Sequence, residues 1–185
     1  MLSVLIIRIR RLGAISIPLI PQSPLERFPD YVKAIGMTTI ELCNLEAAVC
    51  HLFGAILRFD EPIAGSIFSS PKTTAGRLDM VRNLAAQAVK QKILSQDDAK
   101  TIKELVARAD KLLRKRNDVV HEMWGVSRDL TKVMRIPLPY GEPTPVTLES
   151  LTRNIADLRI LWTELDKLSH RLRLRSLHHY HVEIT

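Results

Sequence analysis

Arg116-Asn117-Asp118-Val119-Val120-His121 brings a permanent cation, an amide and an imidazole into six consecutive residues. On a helix advancing about 100° per residue, Asn117 and His121 are four apart, hence about 40° apart and stacked on one face. Arg116 lies about 140° from His121 by Cα direction, but its long side chain can swing toward the same cleft. Imidazole titrates near pH 6.5 and takes or gives a proton at neutral pH, whereas guanidinium stays charged and can grip two phosphate oxygens at once. Such a set suits RNA cleavage: one group deprotonates the 2'-hydroxyl, another protonates the leaving oxygen, and a fixed cation stabilises the charge gathering on phosphate. The scheme calls for no metal and no cofactor. It does need a base and an acid in one turnover, so a symmetric dimer with two motifs facing one groove is expected. Spacing alone leaves a plainer reading open, with His121 on the last helical carbonyls and Arg116 solvated or ion-paired.

Other residues with chemical potential are weaker candidates. Glu41 and Glu46 lie in an otherwise apolar helix; Glu46 borders the apolar stripe and either pairs with Arg116 or sits at the core's edge. Lys167, Arg171, Arg173 and Arg175 form either an RNA-binding face or the basic end of a helix. His178, His179 and His181, with His170 upstream, lack acidic or cysteine partners at ligand spacing and read as a solvated tail rather than a metal site. Trp124 and Trp162 read as core or interface residues.

The elements that must position the motif follow from periodicity. The lead-in is punctuated by Pro18, Pro21, Pro24 and Pro29, so the folded domain is expected near Asp30, with Ser23-Pro24-Leu25-Glu26 in capping-box order before it. Ile35, Thr38, Leu42, Leu45, Val49, Leu52 and Ile56 alternate three and four apart, one stripe of a long helix. A short helix follows through about Phe68. Thr73 or Thr74 caps a third helix with Leu78, Val81, Ala85 and Ala88 inward, and Ser95 to Asp98 caps a fourth with Ile102, Leu105, Ala109 and Leu112 inward. That fourth helix ends in Lys111, Arg114, Lys115 and Arg116, where the helix dipole favours cations. Gly125 and the proline-rich 136–145 stretch bound a long connection in which Thr131 to Ile136 reads as a short strand. Thr147 caps the last helix, with Leu148, Leu151, Ile155, Leu158, Trp162 and Leu165 as its stripe.

With no strand-helix alternation and no internal repeat, the expected fold is all-α: an antiparallel helical bundle of four long helices plus short ones. The expected division is an arm at 1–29, a helical bundle at 30–176 and a tail at 177–185. A chain of 185 residues, 46% hydrophobic and 25% charged, is long enough for a real core and is not of disordered composition. The formal charge of +7 favours an anionic partner, RNA first. Cys43 and Cys50 share a helical face but sit about 10.5 Å apart along it, too far to bridge, which suits a reducing compartment. The apolar residues before Pro21 are broken by Arg8, Arg10 and Arg11 and fall short of the about 20 needed to span a bilayer, so no membrane partner and a cytoplasmic location are expected.

The Arg116 to His121 stretch, on a helix followed by Gly125 and one further long helix, resembles the signature of HEPN domains: Arg, a polar residue, a short spacer and His. The likeness extends over the helical order from about Asp30 to Arg175. It implies an all-helical, typically dimeric domain and a metal-independent ribonuclease acting as a toxin, defence or RNA-processing factor. By the same resemblance Arg116 and His121 are the catalytic pair and Asn117 the polar residue beside the Arg, and an antitoxin protein is a candidate partner. Family members that pair with nucleotidyltransferase antitoxins carry Tyr two residues after the His as a modification target; Met123 stands there, so that regulation is not expected. Many HEPN-like domains bind a partner protein or nucleotide without cutting, which is the alternative function.

Overall fold

The computed structural model describes residues 23–114, 119, 122–139 and 141–182. A single 3-10 turn, Pro24–Arg27, opens the described chain, and the Glu26 carboxylate accepts the Ser23 amide at 3.2 Å. Helix α1 (Pro29–Leu57) starts with proline in its first turn, where the missing N–H costs no hydrogen bond. Its stripe is buried from Thr38 to Ile56 as the three-four spacing requires, with Ile35 half-buried, and the Thr38 hydroxyl is satisfied by the Ala34 carbonyl at 2.9 Å. By length and composition α1 could cross a membrane, yet 56% of its most apolar window is buried within the protein.

The chain leaves α1 through Arg58 in a left-handed conformation and enters α2 (Glu61–Ser69), which folds back on the end of α1. Gly54 permits this close approach, because a Cβ there would stand 3.0 Å from the Cβ of Ala64. Phe53 and Phe68 pack beside it with ring centroids 5.8 Å apart. Helix α3 (Thr74–Lys90) is capped by Thr73, whose hydroxyl oxygen accepts the Gly76 amide at 3.1 Å. After a tight turn, Ser95 caps α4 (Gln96–Arg114) by accepting the Asp98 amide at 3.1 Å. Leu78, Val81, Ala85 and Ala88 of α3 are buried, as are Ile102, Leu105 and Ala109 of α4, while Leu113 takes the buried place expected of Leu112.

The long connection corrects one expectation. It is a three-stranded antiparallel sheet rather than a loop with one strand: β1 (Met123–Val126) pairs with β2 (Val133–Ile136), which pairs with β3 (Thr144–Pro145). Only β2 falls within the stretch read as strand. The β1–β2 loop closes on Leu130 in a left-handed conformation, with Asp129 accepting the Ser127 hydroxyl at 2.5 Å and the Thr131 amide at 3.2 Å.

Helix α5 (Leu148–Val182) is capped by Thr147 and continues into the segment expected to be a tail, as far as Val182. Of its stripe Leu151, Leu158 and Leu165 are buried, joined by Leu161, Leu168 and Leu172. Its direction is the second correction. The Leu148 amide donates to the Tyr31 hydroxyl, Arg159 meets Glu41, and Arg173 lies beside Gly54, so α5 runs parallel to α1. Opposed directions hold for α3 against α4, joined by Arg82 and Asp110, and for α4 against α5, joined by Arg108 to Glu164 and by Arg171 to Asp98. The fold is predominantly helical, with one apolar core shared by α1, α3, α4 and α5 and the sheet set at its side.

Candidate functional site

The motif falls in the chain between the last turn of α4 and β1. Arg116, Asn117 and His121 lie outside the described residues, as do residues 1–22 of the arm expected at 1–29. What is described is the frame around them. At the end of α4, Arg114 donates to Asp110 through Nε at 2.9 Å and through its terminal nitrogen at 3.2 Å, and Arg82 of α3 reaches the same carboxylate at 3.1 Å. The Arg114 guanidinium, helped by Arg82, holds the Asp110 carboxyl below its usual value against the opposing effect of burial. The basic end of α4 is therefore fastened to α3 immediately before the motif begins.

Within the motif, Val119 is buried, and its carbonyl accepts the Trp124 indole N–H at 2.9 Å. Trp124 thus ties β1 to Val119. Next along the chain, Glu122 pairs with Arg135 of β2 at 2.9 Å, tying the start of β1 to the sheet. Val119, Trp124 and Arg135 line a cleft of about 400 Å³ together with Thr144, Ser150 and Asn154 and the apolar Pro145, Val146 and Leu151. Its walls present hydroxyls and an amide, groups suited to hydrogen-bonding the oxygens of a phosphodiester or ribose, beside the Arg135 guanidinium that Glu122 already engages.

Several sequence candidates are placed elsewhere. Glu46 is held by Arg77, which also lies 5.9 Å from the Phe68 ring centre; the alternative of a pair with Arg116 lies outside the described residues. The deeply buried acid of α1 is Glu41, 4% exposed, which accepts from Arg159 Nε at 2.7 Å, Trp162 Nε1 at 3.0 Å and Asn44 at 3.2 Å. Burial pushes the Glu41 carboxyl up, but the bonds from Arg159, Asn44 and Trp162 together outweigh it and bring the carboxyl below its ordinary value. The signal was present in the sequence: Glu41 sits three after Thr38 and four before Leu45, inside the buried stripe, where a carboxylate must find donors.

Arg171 and Arg175 both donate to the buried Asp98 carboxylate, at 2.7 and 2.6 Å, and Arg173 pairs with Glu61 at 3.2 Å. The three arginines of the basic run of α5 are thus engaged in holding α5 to α4 and α2, while Lys167 is exposed. Cys43 and Cys50 are both free thiols. Among the described residues no group of three His, Cys, Asp or Glu side chains is placed to hold a metal ion. Comparison with protein-family models, curated proteins and solved structures gives no match.

Proposed function

We propose that the protein is a metal-independent endoribonuclease of HEPN type that works as a homodimer. The observation carrying this reading is that Val119, the described residue of the Arg116 to His121 stretch, lines a cleft of mixed polar and apolar walls together with Arg135, Ser150 and Asn154. The net charge of +7 adds a general attraction for polyanions.

In this reading His121 is a general base or acid, Arg116 stabilises the phosphate, and Asn117 orients His121 or the substrate. The 2'-hydroxyl loses its proton to a base and attacks the adjacent phosphorus; the P–O5' bond breaks and the leaving oxygen takes a proton. The products are a 2',3'-cyclic phosphate and a 5'-hydroxyl end. A second motif from the partner protomer supplies the second imidazole. A toxin, defence or RNA-processing role, with an antitoxin as partner in the first case, follows from the resemblance of the motif.

The test is cleavage of single-stranded RNA with EDTA present. Wild-type protein is expected to leave cyclic-phosphate ends, and His121→Ala, checked by circular dichroism for an unchanged fold, to lose at least 100-fold in rate, the low end of what a general acid or base contributes. Equal rates in the two proteins, or no cleavage by wild type, overturn the reading in favour of a non-catalytic module.

A further inference from the structure

Most arginines of the described chain are already engaged in ion pairs, including those of α5. A different set of cations surrounds the turn between α3 and α4. Lys90, Lys100 and Lys103 border a groove of about 680 Å³ between those two helices, floored by Ala85, Val89, Ala99 and Ile102. A second cleft of about 400 Å³ adjoins it, shares Val89 and Gln96 with it, and carries Arg58, Lys92 and Arg175. Arg58, Lys90, Lys92, Lys100 and Lys103 are all exposed, and no ion pair among the described residues is recorded for any of them. The carboxylate lining this continuous tract is Asp98, and two guanidiniums already share it.

Backbone conformation adds an independent observation. Arg58 caps α1 and Lys92 follows the Gln91 cap of α3, with φ of 59° and 58°, the left-handed conformation in which glycine is the usual residue. Two positions where glycine would be the least strained choice instead hold cations, and both side chains border the same cleft. Cations at helix C-termini also suit the dipole, which accounts for their charge but not for their sharing one concave surface with Lys90, Lys100 and Lys103.

We propose that this tract binds the sugar-phosphate backbone of single-stranded RNA, as a docking site separate from the motif. The inference rests on the ribonuclease reading for the identity of the polyanion. Two helices packed about 8–10 Å apart bound a groove that takes one extended strand rather than a duplex. Its floor is aliphatic, so bases meet no aromatic stacking partner there and binding is governed by phosphate charge rather than base identity. Helix α4 carries Lys100 near its start and runs into the motif after its end. The 14 residues from Lys100 to Arg114 span about 21 Å at about 1.5 Å each. A strand held on the tract lies along the helix whose end the motif follows in the chain.

The experiment measures binding of a labelled single-stranded ribo-oligonucleotide to full-length protein carrying His121→Ala, in EDTA, by fluorescence anisotropy over a salt series. Three variants are compared in that background: no further change, Lys90→Gln/Lys100→Gln/Lys103→Gln, and the charge-matched control Lys33→Gln/Lys72→Gln/Lys132→Gln. Each lost phosphate contact lowers the slope of log K against log salt by about 0.7. The tract variant is therefore expected to flatten the slope by about 2 and to bind roughly fiftyfold more weakly near 0.15 M salt. The control should bind within about threefold of its parent, and purine and pyrimidine oligonucleotides should bind alike. Equal losses in both triple variants, no RNA binding by the parent, or displacement of RNA by polyglutamate as effective as by unlabelled RNA, overturns the proposal. Cleavage by the same triples with His121 restored separates the two readings. Cutting with no effect of the tract on binding leaves the nuclease without this docking site, and tract-dependent binding without cutting leaves the docking site without the nuclease.

Discussion

Replacing Glu41 by Gln keeps the shape of a side chain buried where α1 meets α5 and removes only its charge and half its acceptors. Glu41 takes three donors, with Arg159 on Oε1 and both Trp162 and Asn44 on Oε2. An amide offers one acceptor oxygen. If that oxygen stays under Trp162, the new NH2 faces the Arg159 guanidinium donor to donor; if it turns to Arg159, the indole N–H of Trp162 is orphaned. Losing a hydrogen bond to a charged group costs about 1.5–3 kcal/mol. Arg159 is 52% exposed and can turn into water, which places the expected loss near the bottom of that range, about 2 kcal/mol. For a chain of this size that corresponds to a fall in Tm of roughly 4–8 °C.

The pH dependence gives the sign a second check. The folded Glu41 carboxyl titrates below its ordinary value near 4.5, so its charge contributes stability above that pH and the contribution is lost as pH falls through the folded value. Glu41→Gln has no such contribution. In urea melts the gap between wild type and variant should be full at pH 7 and narrow toward acid, with the m-value unchanged. A gap under about 0.5 kcal/mol at pH 7, within the ordinary scatter of surface substitutions, would refute the reasoning, as would a gap that widens on acidification.

Two further outcomes follow from local geometry. Gly54→Ala should destabilise by about 1–2 kcal/mol, since its Cβ meets Ala64 at 3.0 Å, whereas Gly36→Ala, with nothing within 4 Å, should stabilise by about 0.5–1 kcal/mol; urea midpoints moving in the same direction for both would contradict this. The Ser127 hydroxyl, followed by Thr131, holds the Asp129 carboxyl down to about 2, so its carboxyl carbon resonance should titrate near that value and Ser127→Ala should move the midpoint up toward 3.8.

The helices were legible because burial is written as spacing. Leu78, Val81, Ala85 and Ala88 are the inward positions of α3 in both sequence and structure, and the Thr73, Ser95 and Thr147 caps sit where a short hydroxyl side chain precedes an apolar stripe. The β1 strand was not legible: Met123-Trp124-Gly125-Val126 is four residues long, contains glycine, and gains its partner only through antiparallel pairing with Val133 to Ile136. The parallel setting of α1 and α5 was hidden for a related reason. Tyr31 and Leu148, or Glu41 and Arg159, are more than 110 residues apart, and periodicity within a helix carries no record of its neighbour's direction. At the candidate site, the sequence marked the residue types of the motif. It could not announce that Trp124 would bond to Val119, or that Arg135, Ser150 and Asn154 from later elements would form the cleft.

The pairing of α1 with α5 also has a consequence during synthesis. The apolar stripe of α1 emerges from the ribosome early, while its largest cover, beginning at Leu148, emerges about 90 residues after Leu57. At translation rates of about 5–20 residues per second, that stripe waits roughly 5–18 s for α5. Throughout that interval the nascent chain displays part of a row of leucine, valine and isoleucine to whatever else is in solution. Substitutions that slow the docking of α5 are therefore expected to show first as lost soluble yield, before any change in the finished protein's melting temperature.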